Sequence, residues 1–244
     1  AGHTTASIFR TMAFTTMDNT DAFYTKKSVI DLANQKNYNT YWISNQDATG
    51  DDLSSIGQLS FASKQQYFLQ TETNKSKTLD IELIPYFEKV YRENDSEKQL
   101  ITIHLSGSHI YYNSRIDDID RAAIDYKDES KTYNKVIDYD RSIHHSDRVL
   151  QKVYNVVKND SSTVVIYISD HGEKVGIGHG VLKDMADVKY IYTIPYIIFN
   201  FSSYPVEQLN NQFVNPSNNI LNTFSLSYIL AQMMGYDFTP ETID

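Results

Sequence analysis

Four short runs rich in β-branched and aromatic residues limit the folds open to this chain more than any other feature. They occupy residues 38–44, 100–105, 163–169 and 190–199. The first three are almost continuously apolar, which is typical of strands covered on both faces of a sheet. The fourth contains Pro195, whose nitrogen carries no hydrogen, so we expect it to be an edge strand or to be interrupted there.

Helical patterns of apolar residues separate these runs. They cover residues 26–36, 79–92, 140–158 and 219–234, and the last of them ends at Gly235, a typical helix stop. Helices that alternate with buried strands predict an α/β fold with a mostly parallel central sheet flanked by helices. No repeat or linker divides the sequence, so we expect a single domain over residues 1–244.

Two long polar stretches, residues 45–70 and 111–135, interrupt this alternation. We interpret both as long loops, which in a compact domain are usually functional insertions or flexible segments.

Charge and composition exclude several classes of protein. The 244 residues include 31 acidic and 22 basic side chains, and the net charge of −9 argues against bulk nucleic-acid binding. Because cysteine is absent, disulfides and cysteine-based zinc or catalytic sites are excluded. No run approaches the roughly 20 apolar residues of a membrane-spanning helix, and residues 1–10 do not have the pattern of a signal peptide.

Polar side chains gather where the second and third runs end. Asp170 and His171 follow the third run directly, and His179 returns nearby on a glycine-rich stretch, whereas His109 follows Gly107 after the second run. Ligands bind at the carboxyl ends of strands in open α/β sheets, and imidazole with carboxylate suits Zn²⁺. The alternative is a glycine-rich turn with a capping aspartate and solvated histidines.

Three further histidines favour structural roles. His104 lies inside an apolar run, so we expect a hydrogen-bonded core residue. His144 and His145 are adjacent on a predicted helix and would point about 100° apart. We therefore expect that they do not face one site and that they are surface or packing residues.

The first residues of the chain offer a hydroxyl where a helix begins. Residues 2–7 read Gly-His-Thr-Thr-Ala-Ser. A hydroxyl beside the free N–H groups of a helix N-terminus lies where phosphate binds well, and a metal can activate it as a nucleophile. The alternative is an ordinary N-cap threonine.

These motifs together resemble those of bacterial phosphoethanolamine transferases, in the alkaline phosphatase/sulfatase superfamily. Residues 2–7 are similar to the family's nucleophile motif, in which Thr5 takes the position of the threonine. The segments at 104–109, 139–140, 169–173 and 179–180 are similar to its later motifs, His-x-x-Gly-Ser-His, Tyr-Asp, Ser-Asp-His-Gly-Glu and His-Gly. They occur in family order, from Thr5 to Gly180.

The resemblance implies an alkaline phosphatase/sulfatase-like fold and a role for each motif. Thr5 would be the nucleophile, and Thr5, Asp170 and His171 would bind one catalytic Zn²⁺. His109 and His179 would hold the phosphate or protonate the leaving group. The donor would be phosphatidylethanolamine, and the acceptor lipid A, the lipooligosaccharide core or another envelope glycan. An N-terminal transmembrane domain would anchor the catalytic part at the bacterial inner membrane, facing the periplasm.

The family places a further carboxylate ligand on a strand well before the nucleophile, whereas this chain begins four residues before Thr5. We therefore expect a domain truncated at its N-terminus. A phosphoglycerol transferase, a sulfatase or phosphodiesterase on the same scaffold, and an inactive binding domain remain alternatives. A formylglycine sulfatase is disfavoured, since cysteine is absent and no proline lies between Thr5 and Arg10.

Overall fold

The computed structural model describes residues 4–14, 27–47, 54–70, 78–93, 98–126, 131–175 and 185–237. In chain order the helices are α1 Thr4–Met12, α2 Val29–Gln35, α3 Ser54–Phe61, α4 Ile84–Arg92, α5 Asp118–Ala123, α6 Lys131–Val157, α7 Met185–Tyr192, α8 Val206–Phe213 and α9 Ser225–Met233. Two short 3-10 helices, Asp80–Leu83 and Tyr112–Ser114, precede α4 and α5.

The strands fall into three groups. β1 (Asn39–Ser44) lies between β2 (Gln65–Phe68) and β3 (Gln99–His104), and both pairings are parallel. β4 (Val164–Ile168) pairs antiparallel with β5 (Tyr196–Asn200). A minor antiparallel pair joins β6 (Val214–Asn215) to β7 (Ile220–Leu221). The predicted α/β fold with a parallel central sheet is confirmed.

Alternation along β1 divides the core into two layers. Tyr41 and Ile43 face a cluster supplied largely by α4 and α6, including Phe87 and Val153. Trp42 points to the opposite face and packs with residues of α2 and α3. Ile43 and Trp42 are at most 1% exposed, and each such side chain stabilises the fold by about 2 kcal/mol or more.

A cavity of about 1300 Å³ separates the two main groups of strands. The whole of β3 lines one side of it, β4 lines another, and α1 contributes Thr4 and Ile8. β3 pairs with β1 and β4 pairs with β5, and within the described ranges neither strand has a partner along its other edge. The cavity is therefore bordered by two strand edges whose backbone groups face it.

The first three predicted strands are confirmed to within one residue, but the fourth prediction was partly wrong. Residues 190–192 end helix α7, whose Ile191 is fully buried, and β5 begins only after Pro195. Proline cannot donate to a strand ladder, so the chain changes structure at this residue. β5 has one strand partner within the described ranges, as predicted for an edge strand.

The two stretches predicted as loops contain regular structure, so that interpretation was wrong. Residues 45–70 contain α3 and β2, and residues 111–135 contain α5 and the beginning of α6. α6 begins nine residues earlier than predicted. Residues 131–139 contain only two aliphatic side chains, Val136 and the buried Ile137, which is too few to show a helical stripe in the sequence.

Three helix predictions agree with the structure in position. The predicted helix at 26–36 is α2, capped by Ser28, and that at 79–92 is a 3-10 turn followed by α4. The predicted helix at 219–234 is shorter, because residues 220–221 pair as β7. α9 ends before Gly235, whose φ of 79° confirms the predicted helix stop. No helix among the described residues combines the length and the apolar character needed to cross a membrane.

Candidate active site

A rigid turn follows β4 and carries the two predicted metal ligands. The Ser169 hydroxyl donates to the backbone oxygen of His171 (2.8 Å), and the His171 Nδ1 atom lies 2.9 Å from the backbone oxygen of Gly172. Since a carbonyl only accepts, Nδ1 carries a proton, so Nε2 is the ring atom through which His171 can bind a metal. The N–H of Gly172 donates to the backbone oxygen of Ile191 (2.7 Å), which ties the turn to α7.

Three donor atoms of different chemistry meet at His171. Its Nε2 atom lies 3.3 Å from the Thr4 hydroxyl oxygen and 3.3 Å from Oδ2 of Asp170. Thr4 is the first residue of α1, so the hydroxyl lies at the positive end of the helix dipole. Hydroxyl, carboxylate and imidazole therefore converge at the end of the cavity where β4 ends.

These atoms fit a zinc ion. Zn²⁺ binds nitrogen and oxygen ligands at about 2.0–2.1 Å in a tetrahedron, whose edges are then about 3.3 Å long. The two 3.3 Å separations around His171 Nε2 match that edge. His171 is also in the correct tautomer, because its Nδ1 proton is held by a backbone oxygen, as is usual for zinc-binding histidines.

Of the two adjacent threonines, the structure brings Thr4 to His171 and to the cavity. Thr5 is partly buried, and it is not among the residues that line the cavity. The Thr4 hydroxyl therefore has a described contact with this cluster. The role of Thr5 as the nucleophile stays a prediction, and Thr4 is a candidate that the sequence motifs did not reveal.

The end of β3 contributes His109 to the same cavity. His109 is exposed and lies close enough to Glu173 for their charges to interact. Burial raises the pKa of Glu173, and the Tyr112 hydroxyl and the charges of His109 and His171 oppose this rise. The ends of β3 and β4 border one cavity, although the two strands do not pair with each other. His179 lies outside the described residues, so its role stays a prediction.

His104 is a neutral, hydrogen-bonded residue of the cavity wall. Its Nδ1 atom lies 3.0 Å from the Ser44 hydroxyl, and its ring lies 5.5 Å from that of Trp42. The Ser44 hydroxyl donates its own hydrogen to the backbone oxygen of Gln46, so Nδ1 of His104 is the donor in this pair. Burial lowers the pKa of His104 to about 4, although Asp170 and Asp80 oppose that shift.

We expect His104 to make the protein sensitive to acid. Below its unperturbed pKa of 6.5 the unfolded chain binds a proton that the folded protein does not take up until about pH 4. The free energy of unfolding should therefore fall between pH 6.5 and pH 4. Because His104 borders a cavity, we expect a loss of about 1–2 kcal/mol, below the full value of the shift.

Urea titrations of the wild type and His104→Asn at several pH values test this prediction. Asparagine keeps a donor for Ser44 but does not titrate in this range. The variant should lose less stability on acidification than the wild type, and an equal loss in both would contradict the prediction.

A second polar cluster joins α5 to α6 and overturns one expectation. His144 Nδ1 lies 2.8 Å from Oδ1 of Asp120, and His145 Nδ1 lies 2.7 Å from Oδ2 of the same carboxylate. The expectation that the two histidines do not face one site was wrong, because the two oxygens of one carboxylate accept from neighbouring positions of a helix. His145 is 2% exposed, so it is a packing residue, as expected.

This cluster has a structural role and joins α5 to α6, although Asp117, Asp120 and His145 lie close enough to share a cation. Nη1 of Arg148 already lies 2.8 Å from an oxygen of each aspartate and offsets part of their negative charge. Burial raises the pKa of Asp120, but the hydrogen bonds from Asp117, Arg148 and the two histidines outweigh it and hold that pKa well below its usual range. Removing one partner would leave a buried charge uncompensated.

Comparison with known proteins identifies the class. The model of the Sulfatase family matches residues 1–226, so this chain belongs to the Sulfatase family. In structure it is similar to the C-terminal periplasmic domain of EptC from Escherichia coli, with a TM-score of 0.77 and 21% identity over all of this chain and 70% of that one. A zinc complex of the same domain matches 82% of this chain and 59% of that chain, with a TM-score of 0.69 and 24% identity. The alkaline phosphatase/sulfatase-like fold is thereby confirmed.

Within the family, the chain is similar to proteins named phosphoethanolamine transferases. It is 32% identical over 152 residues to a putative phosphoethanolamine transferase of Haemophilus influenzae, which covers 59% of this chain and 31% of the relative. It is 27% identical over 204 residues to phosphoethanolamine transferase EptC of Escherichia coli O18:K1:H7, which covers 77% of this chain and 34% of the relative. The chain spans about a third of the length of these relatives.

Proposed function

We propose that this domain transfers phosphoethanolamine from phosphatidylethanolamine to an envelope glycolipid, lipid A or the lipooligosaccharide core, through a phosphothreonine intermediate at a zinc site. The observation that carries the proposal is the convergence of a helix-terminal threonine hydroxyl, a carboxylate and the Nε2 atom of an imidazole at one end of a large cavity. The names of the relatives support the choice of phosphoethanolamine as the transferred group.

The chemistry is a double displacement. When bound by the threonine hydroxyl, Asp170 and His171, Zn²⁺ lowers the pKa of the hydroxyl and takes up charge from the phosphoryl oxygens. The deprotonated threonine oxygen bonds to phosphorus as the bond to the diacylglycerol oxygen breaks, and His109 gives that oxygen a proton. An acceptor hydroxyl then gives its proton to His109 as its oxygen bonds to phosphorus, and the threonine–phosphorus bond breaks, which restores the deprotonated threonine oxygen. His179 is proposed to hold the phosphate with His109.

We propose that the nucleophile comes from the adjacent pair Thr4 and Thr5. Similarity to the family motif favours Thr5, whereas the 3.3 Å contact between the Thr4 hydroxyl and His171 favours Thr4. We give Thr4 more weight, because a nucleophile must lie where the phosphoryl group binds, and Thr4 lines the cavity.

We further propose that residues upstream of Ala1 complete the domain. A strand between β3 and β4 would satisfy the backbone edges that border the cavity, and its carboxyl end would reach His171, where a carboxylate would complete the metal site. The curated relatives are about three times as long as the matched region, which leaves room for such a strand and for a membrane anchor. The proposed location is the inner membrane, with this domain facing the periplasm.

Product analysis tests the donor. The protein, extended upstream, is incubated with Zn²⁺ and detergent micelles of phosphatidylethanolamine or phosphatidylglycerol, and released diacylglycerol is measured with and without lipid A. Release from phosphatidylethanolamine, with phosphoethanolamine appearing on lipid A, supports the proposal. Release from phosphatidylglycerol alone would favour a phosphoglycerol transferase. Free phosphoethanolamine without transfer would favour a hydrolase, and no release despite bound zinc would favour the binding domain.

A further inference from the structure

A buried carboxylate outside the metal cluster holds the loop that carries His109. Asp80 is 4% exposed and begins the 3-10 helix before α4. Its Oδ1 atom accepts from the backbone N–H of Ser106 (2.9 Å), and its Oδ2 atom accepts from the backbone N–H of Gly107 (2.8 Å). Two consecutive backbone donors of one loop are thus bound by the two oxygens of a single side chain.

Asp80 is itself held by a second buried side chain, that of Asn45. The Nδ2 atom of Asn45, which is 1% exposed, donates to Oδ1 of Asp80 (2.8 Å) and lies 3.2 Å from the backbone oxygen of Thr78. The Ser106 hydroxyl donates to the backbone oxygen of Asn45 (3.0 Å). The ends of β1 and β3 and the start of the 3-10 helix are therefore joined by one polar network.

The loop needs this support because its backbone leaves the strand in an uncommon conformation. Gly107 has a φ of 58°, in the left-handed region that favours glycine. Its N–H and that of Ser106 cannot continue the β3 ladder, and a buried N–H without an acceptor costs about 1–3 kcal/mol. The Asp80 carboxylate stabilises this turn, which directs residues 108 and 109 to the cavity.

We infer that Asp80 is a positioning residue for His109. The inference rests on the proposed function in so far as His109 protonates the leaving group there. His109 lies two residues beyond Gly107, so the orientation of this turn sets the place of the imidazole. A displacement of about 1 Å in a catalytic group can reduce a rate about 100-fold.

The variant Asp80→Asn tests the inference with little change of shape. Ser106 and Gly107 donate to different oxygens of Asp80, so an amide in the same position would put its NH₂ group against one of the two N–H groups. Amide hydrogen exchange at Ser106 and Gly107 should be slow in the wild type and at least about tenfold faster in the variant. The imidazole resonances of His109 should shift. With phosphatidylethanolamine, kcat should fall about 10- to 100-fold with KM nearly unchanged.

Asp31→Asn is the matched control. The Asp31 carboxylate also accepts from a backbone N–H, that of Ser28 (2.7 Å), and from the Ser28 hydroxyl, but it caps α2. This variant should lose stability and leave both the His109 resonances and kcat unchanged. Asp80→Glu, which keeps both oxygens, should recover part of the lost kcat.

Several results would overturn the inference. One is fast amide hydrogen exchange at Ser106 and Gly107 in the wild type. Another is that Asp80→Asn leaves both the exchange at these two amides and the His109 resonances unchanged. A third is an equal loss of kcat in Asp80→Asn and Asp31→Asn. If the wild type releases no diacylglycerol, the proposed function fails, and the exchange and resonance measurements still decide the role of Asp80. If Asp80→Asn does not fold, the exchange rates of Ser106 and Gly107 in the wild type still decide the role of Asp80.

Discussion

Replacing Thr4 with valine should reduce the release of diacylglycerol from phosphatidylethanolamine by at least about a thousandfold. Valine has nearly the shape of threonine but lacks the hydroxyl that lies 3.3 Å from His171 Nε2. Without this oxygen no covalent intermediate can form on Thr4. The free energy of unfolding should change by less than about 1 kcal/mol, since the contact of this hydroxyl with His171 is long and only partly buried.

Thr5→Val is the control that separates the two candidate nucleophiles. The two variants remove the same group from neighbouring residues of α1, so their effects on helix propensity are equal. If Thr4 is the nucleophile, Thr5→Val should retain most of the activity. Loss of activity in Thr5→Val alone would assign the nucleophile to Thr5, and full activity in both variants would contradict a threonine nucleophile at this site.

Of the substitutions described, Gly172→Ala should cause the largest combined loss of folding stability and of zinc affinity. A Cβ atom at this position would overlap the backbone oxygen of Tyr190 and lie 3.2 Å from that of Thr193. Backbone atoms cannot rotate away, so the turn after β4 and the end of α7 must separate. We expect a loss of about 3 kcal/mol in the free energy of unfolding, from overpacking and from the hydrogen bond to Ile191.

The same displacement should move Asp170 and His171 apart from Thr4. Zinc affinity, measured by calorimetry, and the release of diacylglycerol should therefore each fall at least about 100-fold. Gly235→Ala is the control, because Gly235 has a φ of 79° but a Cβ atom there would meet no other atom within 4 Å. It should cost only about 1–2 kcal/mol. Equal stability losses in the two variants would contradict the close approach at Gly172.

Sequence patterns located the strands that are apolar along their whole length. β1, β3 and β4 are short runs of apolar residues in the sheets, and their composition was sufficient to locate them. β2 was missed because Gln65 and Gln66 are polar, and its place is set by parallel pairing with Tyr41 and Trp42. Residues 190–192 were assigned to a strand because an apolar run of this length does not distinguish a strand from a buried helix end.

The sequence predicted those residues of the candidate site that lie next to a predicted strand in the chain. Asp170 and His171 lie within three residues of the end of β4 and line the cavity, where the carboxyl-end rule predicted a ligand site. Asp80 was missed, because its partners Asn45 and Ser106 lie 35 and 26 residues away and no local pattern links them. The pair His144 and His145 was misjudged for a similar reason, since the carboxylate that joins them comes from α5.

The measurement that tests the central claim most directly is a peptide-level mass spectrum of the protein, with its upstream residues restored, after incubation with Zn²⁺ and phosphatidylethanolamine. Thr4→Val and Thr5→Val are treated in parallel. We expect a peptide containing Thr4 and Thr5 that gains the mass of one phosphoethanolamine group, with fragment ions that place it on Thr4 and no such gain in Thr4→Val. An unmodified peptide from a folded, zinc-loaded protein that still releases diacylglycerol would contradict a phosphothreonine intermediate.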